Sequence, residues 1–150
     1  MTTALELVKR FEGYSATPYN MGDGVPTIGY GTTRYPDGRK VTLADAPCTE
    51  PQAAGWLQRD VDHAEANVLR LSPRIGLEPA YRTTALTSFV YNLGADAYRT
   101  STLRARVAQQ DWPGAEAEFG RWVYGGGKKL AGLVARRAAE AAVFMGHPLP

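Results

Sequence analysis

The sequence predicts an α+β fold that is mostly α-helical, with a small β-hairpin lobe, a long linking helix and a helical C-terminal lobe. Residues 14–41 are rich in Gly, Pro, Tyr and Thr, a composition typical of short strands and turns. Residues 50–71 keep their apolar side chains in helical phase, and the chain beyond residue 72 has a helical pattern too. We therefore expect residues 1–150 to form a single domain, with lobes at about 1–50 and 72–150 joined by a helix at about 50–71.

The first predicted element is a short helix. Thr3 begins a Thr-Ala-Leu-Glu capping box, whose side chains satisfy backbone N–H groups of the first turn. Apolar residues follow at helical spacing as far as Phe11, so the helix should end at Glu12-Gly13. Two or three short strands should come next, one of them near residues 26–30 and another near residues 40–42.

The second predicted helix is long. Residues 49–52, Thr-Glu-Pro-Gln, form another capping box, and the Pro lies in the first turn, where its missing N–H costs nothing. A helix of this length would measure roughly 30 Å, enough to link two lobes. Its apolar residues in helical phase are Trp56, Leu57, Val61, Ala64, Val68 and Leu71.

Caps and stops divide the remaining chain into helices. Gly94 should end one of them, and Ser101 and Asp111 are N-cap residue types placed to begin two more. The three glycines at 125–127 indicate a flexible connection. A last helix should then run from about Lys129 to Met145.

Composition limits the possible functions. Cys48 is the only cysteine, which excludes an intramolecular disulfide and a zinc site built on several cysteines. The opening residues, MTTALELVKRFEG, lack the basic start and apolar run of a secretory signal, and no apolar stretch reaches the roughly 18–20 residues of a membrane span. We therefore expect a protein made in the cytoplasm, without membrane insertion. No cofactor is implied, and we expect a monomer.

The charge is unevenly distributed although the net charge is only +2. Between residues 121 and 140 the cations are Arg121, Lys128, Lys129, Arg136 and Arg137, against Glu140 alone. A basic C-terminal part suits an anionic polymer such as nucleic acid, lipid headgroups or cell wall, but a solvated helix face gives the same pattern. Charge alone does not choose among these readings.

Two short features point to chemistry. Glu12 lies at a predicted helix end between Phe11 and Tyr14, where apolar surface and the helix C-terminus both favour a protonated carboxyl, the form that a general acid requires. The segment 27–31, TIGYG, is an alternating strand whose glycines would let a polymer approach the backbone. Taken singly, a solvated glutamate and an ordinary hairpin explain them equally well.

Together with later segments, these features resemble the phage-type lysozymes, or endolysins, of glycoside hydrolase family 24. The resemblance rests on FEGYSATPYN…GVPTIGYGTT, ALTSFVYNLGADAYRTSTL and AEFGRWVYGGGKKLAGLVARRAAE, and it extends from about Leu5 to Phe144. It implies a lysozyme-like two-lobe fold whose cleft binds an extended glycan. It also implies bacterial peptidoglycan as the partner, no nucleic acid, and a hydrolase that serves host cell lysis. The enzyme would stay in the host cytoplasm until it reaches the wall through a membrane lesion.

The resemblance also assigns catalytic positions, with one departure. The catalytic glutamate of the family falls on Glu12 and its catalytic threonine on Thr27, whereas the position of its aspartate, or sometimes cysteine, is occupied by Met21. A thioether carries no charge and accepts hydrogen bonds only weakly, so Met21 cannot replace a carboxylate.

Three alternatives follow from this departure. In the first alternative, Asp23 serves as the second carboxylate; it lies in a Gly-Asp-Gly turn, which is also an ordinary structural feature. In the second alternative, Glu12 is the only catalytic carboxyl and the muramic acid 6-hydroxyl is the nucleophile, as in lytic transglycosylases. In the third alternative the protein is a catalytically silent peptidoglycan-binding relic.

Further residues are candidates for contact with the substrate. Tyr30 could pack beneath a polymer that approaches the glycines of TIGYG. The resemblance places Tyr91, Asn92, Arg121 and Trp122 in segments that line the family's cleft. Trp122 and Tyr124 can stack on sugars or pack in a core. Arg136 and Arg137 can pair with Glu12, bind the wall, or form a pair on a helix surface. Thr32 stands where the family often has histidine, which is a second and milder departure.

Overall fold

A computed structural model of the chain describes residues 1–20, 22 and 24–150, in which helices predominate. The predicted class, α+β and mostly α, is confirmed. The strands are β1 (Ser15–Asn20), β2 (Pro26–Gly29), β3 (Tyr124–Gly125) and β4 (Lys128–Lys129). The helices are α1 (Ala4–Phe11), α2 (Glu50–Leu71), α3 (Ala80–Leu93), α4 (Ala95–Arg99), α5 (Thr102–Ala108), α6 (Trp112–Phe119) and α7 (Ala131–Phe144).

The chain divides into two compact units. Residues 12–60 form one unit, and residues 1–11 together with 61–150 form the other. Helix α2 starts in the first of these units and ends in the second. The predicted lobes at about 1–50 and 72–150 stay a prediction.

In the unit of residues 12–60, β1 and β2 form an antiparallel pair in which Tyr19 faces Thr27. The strand predicted near residues 26–30 is confirmed as β2. The strand predicted near 40–42 is wrong, because only an isolated bridge joins Arg34 to Lys40. The N–H of Thr42 donates to a carboxylate oxygen of Asp45 at 3.0 Å, so it is unavailable for a strand ladder.

Strand β2 approaches helix α2 closely at Gly29. Gly29 has a φ of +66°, and a Cβ atom built there would lie 2.9 Å from the Cβ of Ala53. Only glycine fits this approach without displacing the helix. The small core around it consists of Ile28, Tyr35, Val41, Cys48 and Ala53.

Both predicted capping boxes begin helices. The N–H of Gln52 donates to the hydroxyl of Thr49 at 3.2 Å, and the N–H of Thr49 donates to the side-chain oxygen of Gln52 at 2.9 Å. At α1, the N–H of Glu6 donates to the Thr3 hydroxyl at 3.1 Å. The predicted long helix is confirmed, since α2 runs from Glu50 to Leu71.

The larger unit is built around α3, whose residues 85–90 are all buried. Helices α1 and α7 pack against α3, and α6 packs against α7. At the centre the ring of Phe89 meets the rings of Tyr98, Phe119 and Trp122 edge-on, with centroid distances of 6.2, 5.8 and 5.4 Å. Such edge-to-face contacts add to the apolar burial that holds the unit together.

The predicted helix caps of this unit are confirmed. Ser101 and Asp111 accept hydrogen bonds at 3.0 Å from the N–H groups of Arg104 and Gly114, respectively. Gly94 follows the last residue of α3 with a φ of +94°, and its N–H donates to Val90. The short α4 and a 3-10 helix at Pro73–Leu77 were not predicted; the second lies where Pro73 interrupts the helical pattern.

The flexible connection predicted at residues 125–127 is wrong. Gly126 and Gly127, with φ of +58° and +79°, form the turn of a hairpin between β3 and β4. Two successive glycines suit this turn because both central positions of a type I′ hairpin turn need a positive φ. The last helix consequently begins at Ala131, after β4, rather than at Lys129.

No helix in the part of the chain that the structure describes has the length and apolarity needed to cross a bilayer.

Candidate active site

Glu12 lies at the junction between α1 and β1. It directly follows Phe11, the last residue of the helix, and it is half-buried. The chain then passes through the exposed residues Gly13 and Tyr14 into β1. The C-terminal end of α1 therefore positions Glu12, as the sequence predicts. Glu12 belongs to the same compact unit as Thr27.

Thr27 lies in β2 and is only 4% exposed. Its hydroxyl donates to the carbonyl oxygen of Val25 at 3.1 Å. The hydroxyl proton is therefore engaged by the backbone, and the lone pairs of the oxygen remain as acceptors. A side chain in this state can accept a hydrogen bond from a water molecule, and β2 fixes its position.

Tyr30 follows β2 directly and has partners of its own. Its ring centroid lies 5.1 Å from that of Tyr14, and its hydroxyl donates to a carboxylate oxygen of Glu50 at 2.9 Å. These contacts hold the ring beside the strand. A contact between Tyr30 and substrate stays a prediction.

Met21 and Asp23, the two residues on which the sequence alternatives depend, lie outside the described residues. The neighbouring backbone is held by Asn20, whose side-chain oxygen accepts hydrogen bonds from the N–H groups of Gly22 and Gly24 at 3.0 and 3.1 Å. Both glycines have positive φ, at +90° and +82°. One asparagine therefore organises the connection between β1 and β2.

A second group of predicted residues lies in the larger unit and meets around Arg137. The side-chain oxygen of Asn92 accepts a hydrogen bond from Arg137 at 2.8 Å. The guanidinium of Arg137 lies 5.2 Å from the ring centroid of Phe89, which Trp122 also contacts edge-on. Asn92 and Trp122 are thus joined through Phe89 and Arg137, and Trp122 packs partly into the core.

Arg121 stands apart from this group. Its side chain is 77% exposed and forms an ion pair with the buried Glu118 at 2.8 Å. Tyr124 is 63% exposed, in the β3–β4 hairpin. Both side chains are accessible to a large substrate, whereas the half-buried Trp122 offers less of its ring.

The prediction that Arg136 and Arg137 form a pair on a helix surface or bind the wall is wrong, because α7 buries both. Their side chains are 4% and 0% exposed, and Glu140, with 0% exposure, lies between them. Arg137 Nε is 2.7 Å from Glu140 Oε1, and Arg136 Nε is 3.4 Å from Oε2. One carboxylate therefore serves two guanidinium groups inside the protein.

Burial dominates the electrostatics of this cluster. It raises the pKa of Glu140, and the nearby Arg137, Ser88 and Arg136 oppose the rise. Burial likewise lowers the pKa of Arg137, against the attraction of Glu140. Ser88, on α3, donates to Glu140 Oε2 at 2.5 Å and ties the cluster to the neighbouring helix.

Sequence reasoning missed Glu140 and Ser88. A signal for Glu140 was present, since it follows Arg136 by four residues and Arg137 by three, the spacings at which helical side chains meet. Ser88 gave no such signal, because its contact with Glu140 joins residues 52 positions apart.

Among residues 1–20, 22 and 24–150, no group of three or more His, Cys, Asp or Glu side chains is arranged to hold a metal ion.

The chain is similar in sequence and fold to known phage lysozymes. A sequence model of the family described as Phage lysozyme matches residues 9–140. The endolysin of Acyrthosiphon pisum secondary endosymbiont phage 1 is 35% identical over 144 residues, which cover 93% of each chain. Two solved structures are also similar. The endolysin of Escherichia coli O157:H7 phage FAHEc1 has 31% identity and a TM-score of 0.84, over 97% of this chain and 93% of that one. The muramidase domain of SpmX from Asticaccaulis excentricus has 28% identity and a TM-score of 0.78, over 95% and 94%.

Proposed function

The chain belongs to the phage lysozyme family, and we propose that it cleaves the β-1,4 bond between N-acetylmuramic acid and N-acetylglucosamine, with Glu12 as the general acid. Membership of this family makes the protein a peptidoglycan-degrading endolysin. The bond that it cleaves and the roles of its residues are our proposal. The observation that carries it is the position of Glu12 at the end of α1, in the same compact unit as the buried Thr27 of β2.

In the proposed mechanism Glu12 gives its proton to the leaving oxygen of the glycosidic bond. The sugar ring then develops the positive charge of an oxocarbenium-like transition state, and water adds to the anomeric carbon. Thr27 accepts a hydrogen bond from that water, because its own proton is engaged by Val25. The attacking water releases one proton to a base, and Glu12, ionised after it has protonated the leaving oxygen, takes up one proton from solvent before the next cycle.

A second carboxylate normally accompanies the acid in glycoside hydrolysis. We propose Asp23 for this role, since Met21 at the family's aspartate position offers neither charge nor proton acceptance. A carboxylate beside the sugar would stabilise the developing cation and take a proton from the water.

The substrate contacts are part of the same proposal. Arg121 and Tyr124 are exposed enough to meet a glycan or its peptide stems, and Tyr30, Asn92 and Trp122 are the other candidates. The name muramidase, borne by the similar domain from Asticaccaulis excentricus, supports a muramic acid linkage as the bond cleaved. We also propose that the enzyme acts as a monomer, without nucleic acid, and that it reaches the wall from the host cytoplasm through a membrane lesion.

Product analysis tests the reaction. Purified peptidoglycan is incubated with the unaltered protein and the fragments are identified by mass spectrometry. Reducing muramic acid ends are expected for hydrolysis. Anhydromuramic ends would replace the proposal with a transglycosylase that needs Glu12 alone. Retained binding to the wall without any fragments would indicate a peptidoglycan-binding relic.

Substitution tests the residue roles. Glu12→Gln keeps the size of the side chain but carries no transferable proton, so wall clearing should fall by at least about a hundredfold, a typical loss for a general acid. Glu6→Gln, which alters an exposed carboxylate on α1, is the matched control and should leave the rate unchanged. Circular dichroism and melting curves establish that both variants fold. Clearing by Glu12→Gln at the parental rate would remove Glu12 from the mechanism.

Asp23→Asn is tested in the same assay. Loss of a catalytic carboxylate should lower the rate at least roughly tenfold, below which a catalytic role is hard to sustain. The control is Asp37→Asn, a turn aspartate with an exposed side chain in the same unit. Equal rates for the two variants would leave Asp23 without a catalytic role.

A further inference from the structure

The larger unit contains a groove that has no part in the proposed catalysis or substrate binding. It has a volume of about 430 Å³ and lies where the end of α2, the 3-10 helix Pro73–Leu77 and helix α5 meet. No predicted catalytic or substrate-binding residue lines it. Its chemistry differs from that of a saccharide site, because it combines an apolar floor with several guanidinium groups.

The floor is formed by side chains that the core already holds in place. Leu71, Ile75 and Val107 line the groove and are buried to 8%, 2% and 5% exposure. Trp112 also lines the groove, and the guanidinium of Arg82 lies 4.1 Å from its ring centroid. The side chains of Leu71, Ile75 and Val107 have little accessible surface left, so a hydrocarbon in the groove would also cover the exposed lining residues Ala105 and Ala108, whereas sugar hydroxyls would find few partners on the floor.

Arg104 is the most constrained cation at the groove. Its Nε donates to the carbonyl oxygen of Leu71 at 2.9 Å, and its Nη1 donates to that of Arg99 at 3.2 Å. These two bonds hold the guanidinium plane in one orientation and leave Nη2 as a further donor. A guanidinium fixed in this way binds a carboxylate or phosphate with less loss of side-chain entropy than a mobile one.

The charge balance of the groove is positive. Arg74, Arg99 and Arg104 line it against Glu78 alone, a difference of three cations minus one anion, or +2. Glu78 is 3.7 Å from Arg82, and Arg99 is 3.4 Å from the exposed Asp96, so both charges are partly compensated. In the part of the chain that the structure describes, no acidic side chain forms an ion pair with the exposed Arg74.

We propose that this groove binds a single-chain anionic amphiphile, a molecule with one hydrocarbon tail and one carboxylate or phosphate head. The tail lies on Leu71, Ile75 and Val107, and the head meets Arg104 and Arg74 at the rim. Both halves of the ligand are required, since the floor offers little to a free anion and the guanidinium groups offer little to a neutral chain. The groove shares no lining residue with the proposed catalytic residues, and the proposal does not depend on the peptidoglycan activity.

The experiment is calorimetric titration with dodecanoate and with dodecyl phosphate, below the concentrations at which they aggregate. We expect saturable binding of one molecule per chain, with amide NMR shifts confined to the residues around the groove. Comparing the two probes distinguishes a carboxylate from a phosphate head. Dodecanol and inorganic phosphate, each lacking one half of the ligand, should bind at least about tenfold more weakly, a difference of about 1.4 kcal/mol.

Two kinds of variant locate the site. Ala105→Leu places a larger side chain at an exposed position of α5 that lines the groove, and it should abolish binding. Arg74→Gln removes an exposed rim cation and should raise Kd several-fold. Arg104→Gln should have the larger effect, but it also removes two bonds to the backbone. The matched control is Arg70→Gln, an exposed arginine near the end of α2 that does not line the groove.

Three results would overturn the proposal. Equal affinity for dodecanol would mean an apolar cavity in which the arginines have no part. Tight binding of inorganic phosphate alone would mean a simple anion site. Unchanged binding by Ala105→Leu would place the amphiphile elsewhere. Ala105 and Arg74 are exposed, and neither forms an ion pair with any residue that the structure describes. Their substitution should therefore leave the fold intact, and melting curves check this directly.

Discussion

Glu140 shows how a single residue changes the meaning of its neighbours. Arg136 and Arg137 read as surface cations when their charges are counted along the sequence. In the fold both are buried. Glu140 Oε1 lies 2.7 Å from Arg137 Nε, and Glu140 Oε2 lies 3.4 Å from Arg136 Nε. The chain's basic C-terminal part is therefore less basic at its surface than the sequence indicates. Spacing predicts which side chains can meet, but it does not predict which face of the helix is covered.

The cluster is expected to be sensitive to loss of its carboxylate. Glu140→Gln removes the carboxylate that pairs with the buried guanidinium of Arg137, and removing one partner of a buried ion pair costs about 3–5 kcal/mol. The free energy of unfolding, measured by urea denaturation, should fall by about that amount. Glu116→Gln, a carboxylate on α6 outside any ion pair in the described part of the chain, should change it by less than about 0.5 kcal/mol. Similar small losses in both variants would mean that the cluster contributes little to stability.

At the scale of the element, the sequence predicted helix starts best, because side chains within one turn of the helix determine them. The Thr49 and Gln52 side chains satisfy each other's N–H groups, and Ser101 and Asp111 cap the helices that they were predicted to cap. Errors arose at two short-range contacts that no periodic pattern announces. The strand expected near 40–42 is absent because the N–H of Thr42 donates to Asp45. Gly126 and Gly127 form a hairpin turn because β3, which contains Gly125, pairs with β4.

Gly29 is the element-scale position where substitution should reveal packing. Gly29→Ala forces an alanine to adopt a φ near +66°. It also brings the new Cβ atom to 2.9 Å from the Cβ of Ala53. The left-handed conformation costs about 1–2 kcal/mol, and crowding between β2 and α2 adds about 1–3 kcal/mol. Denaturant unfolding should therefore show a loss of at least about 2 kcal/mol.

Gly38→Ala is the control for this change. Gly38 also has a positive φ, of +89°, but no atom lies within 4 Å of a Cβ built there. It should show only the conformational cost of about 1–2 kcal/mol. If both variants lost the same amount, the contact with Ala53 would carry no energy. Combining Gly29→Ala with Ala53→Gly in a double-mutant cycle measures that contact directly.

At the scale of the whole molecule, the resemblance carried the prediction further than residue patterns did. The quoted motifs implied the family, and the match of residues 9–140 confirmed it. The roles of Glu12 and Thr27 still rest on position and chemistry, and Asp23 rests on the chemistry that Met21 lacks. Contacts between loops were beyond the sequence. The meeting of Tyr35, Thr42 and Asp45 depends on how the chain turns back after residue 38, which no periodic pattern encodes.

That three-residue contact should shape the pH dependence of stability. Hydrogen bonds from the hydroxyl and N–H of Thr42 and from the hydroxyl of Tyr35 lower the pKa of Asp45 from 3.8 to about 2. Burial, together with the hydrogen bond to Asp45, raises the pKa of Tyr35 from 10.0 to about 12. The folded state thus favours ionised Asp45 and neutral Tyr35.

The signs define two pH limits. A lowered acid pKa stabilises the fold above pH 3.8, and this contribution is lost as the pH falls from 3.8 towards 2. A raised tyrosine pKa stabilises the fold below pH 10, and this contribution is lost as the pH rises from 10 towards 12. Tyr98, whose pKa burial also raises to about 12, adds to the alkaline limit, so the acid limit tests the contact more cleanly.

Asp45→Asn should therefore reduce the loss of stability at acid pH and leave the alkaline loss in place. Its free energy of unfolding, measured by urea denaturation from pH 2 to pH 8, should be lower than that of the parent near neutrality. The two curves should then converge as the pH falls through 3.8 towards 2, because the parent alone loses the contribution of an ionised Asp45. Asp37→Asn, at an exposed carboxylate, should leave the acid slope of the parent unchanged. Parallel curves for Asp45→Asn and the parent would show that Asp45 has the same pKa in the folded and unfolded chains, and that its contact with Thr42 and Tyr35 does not depend on its charge.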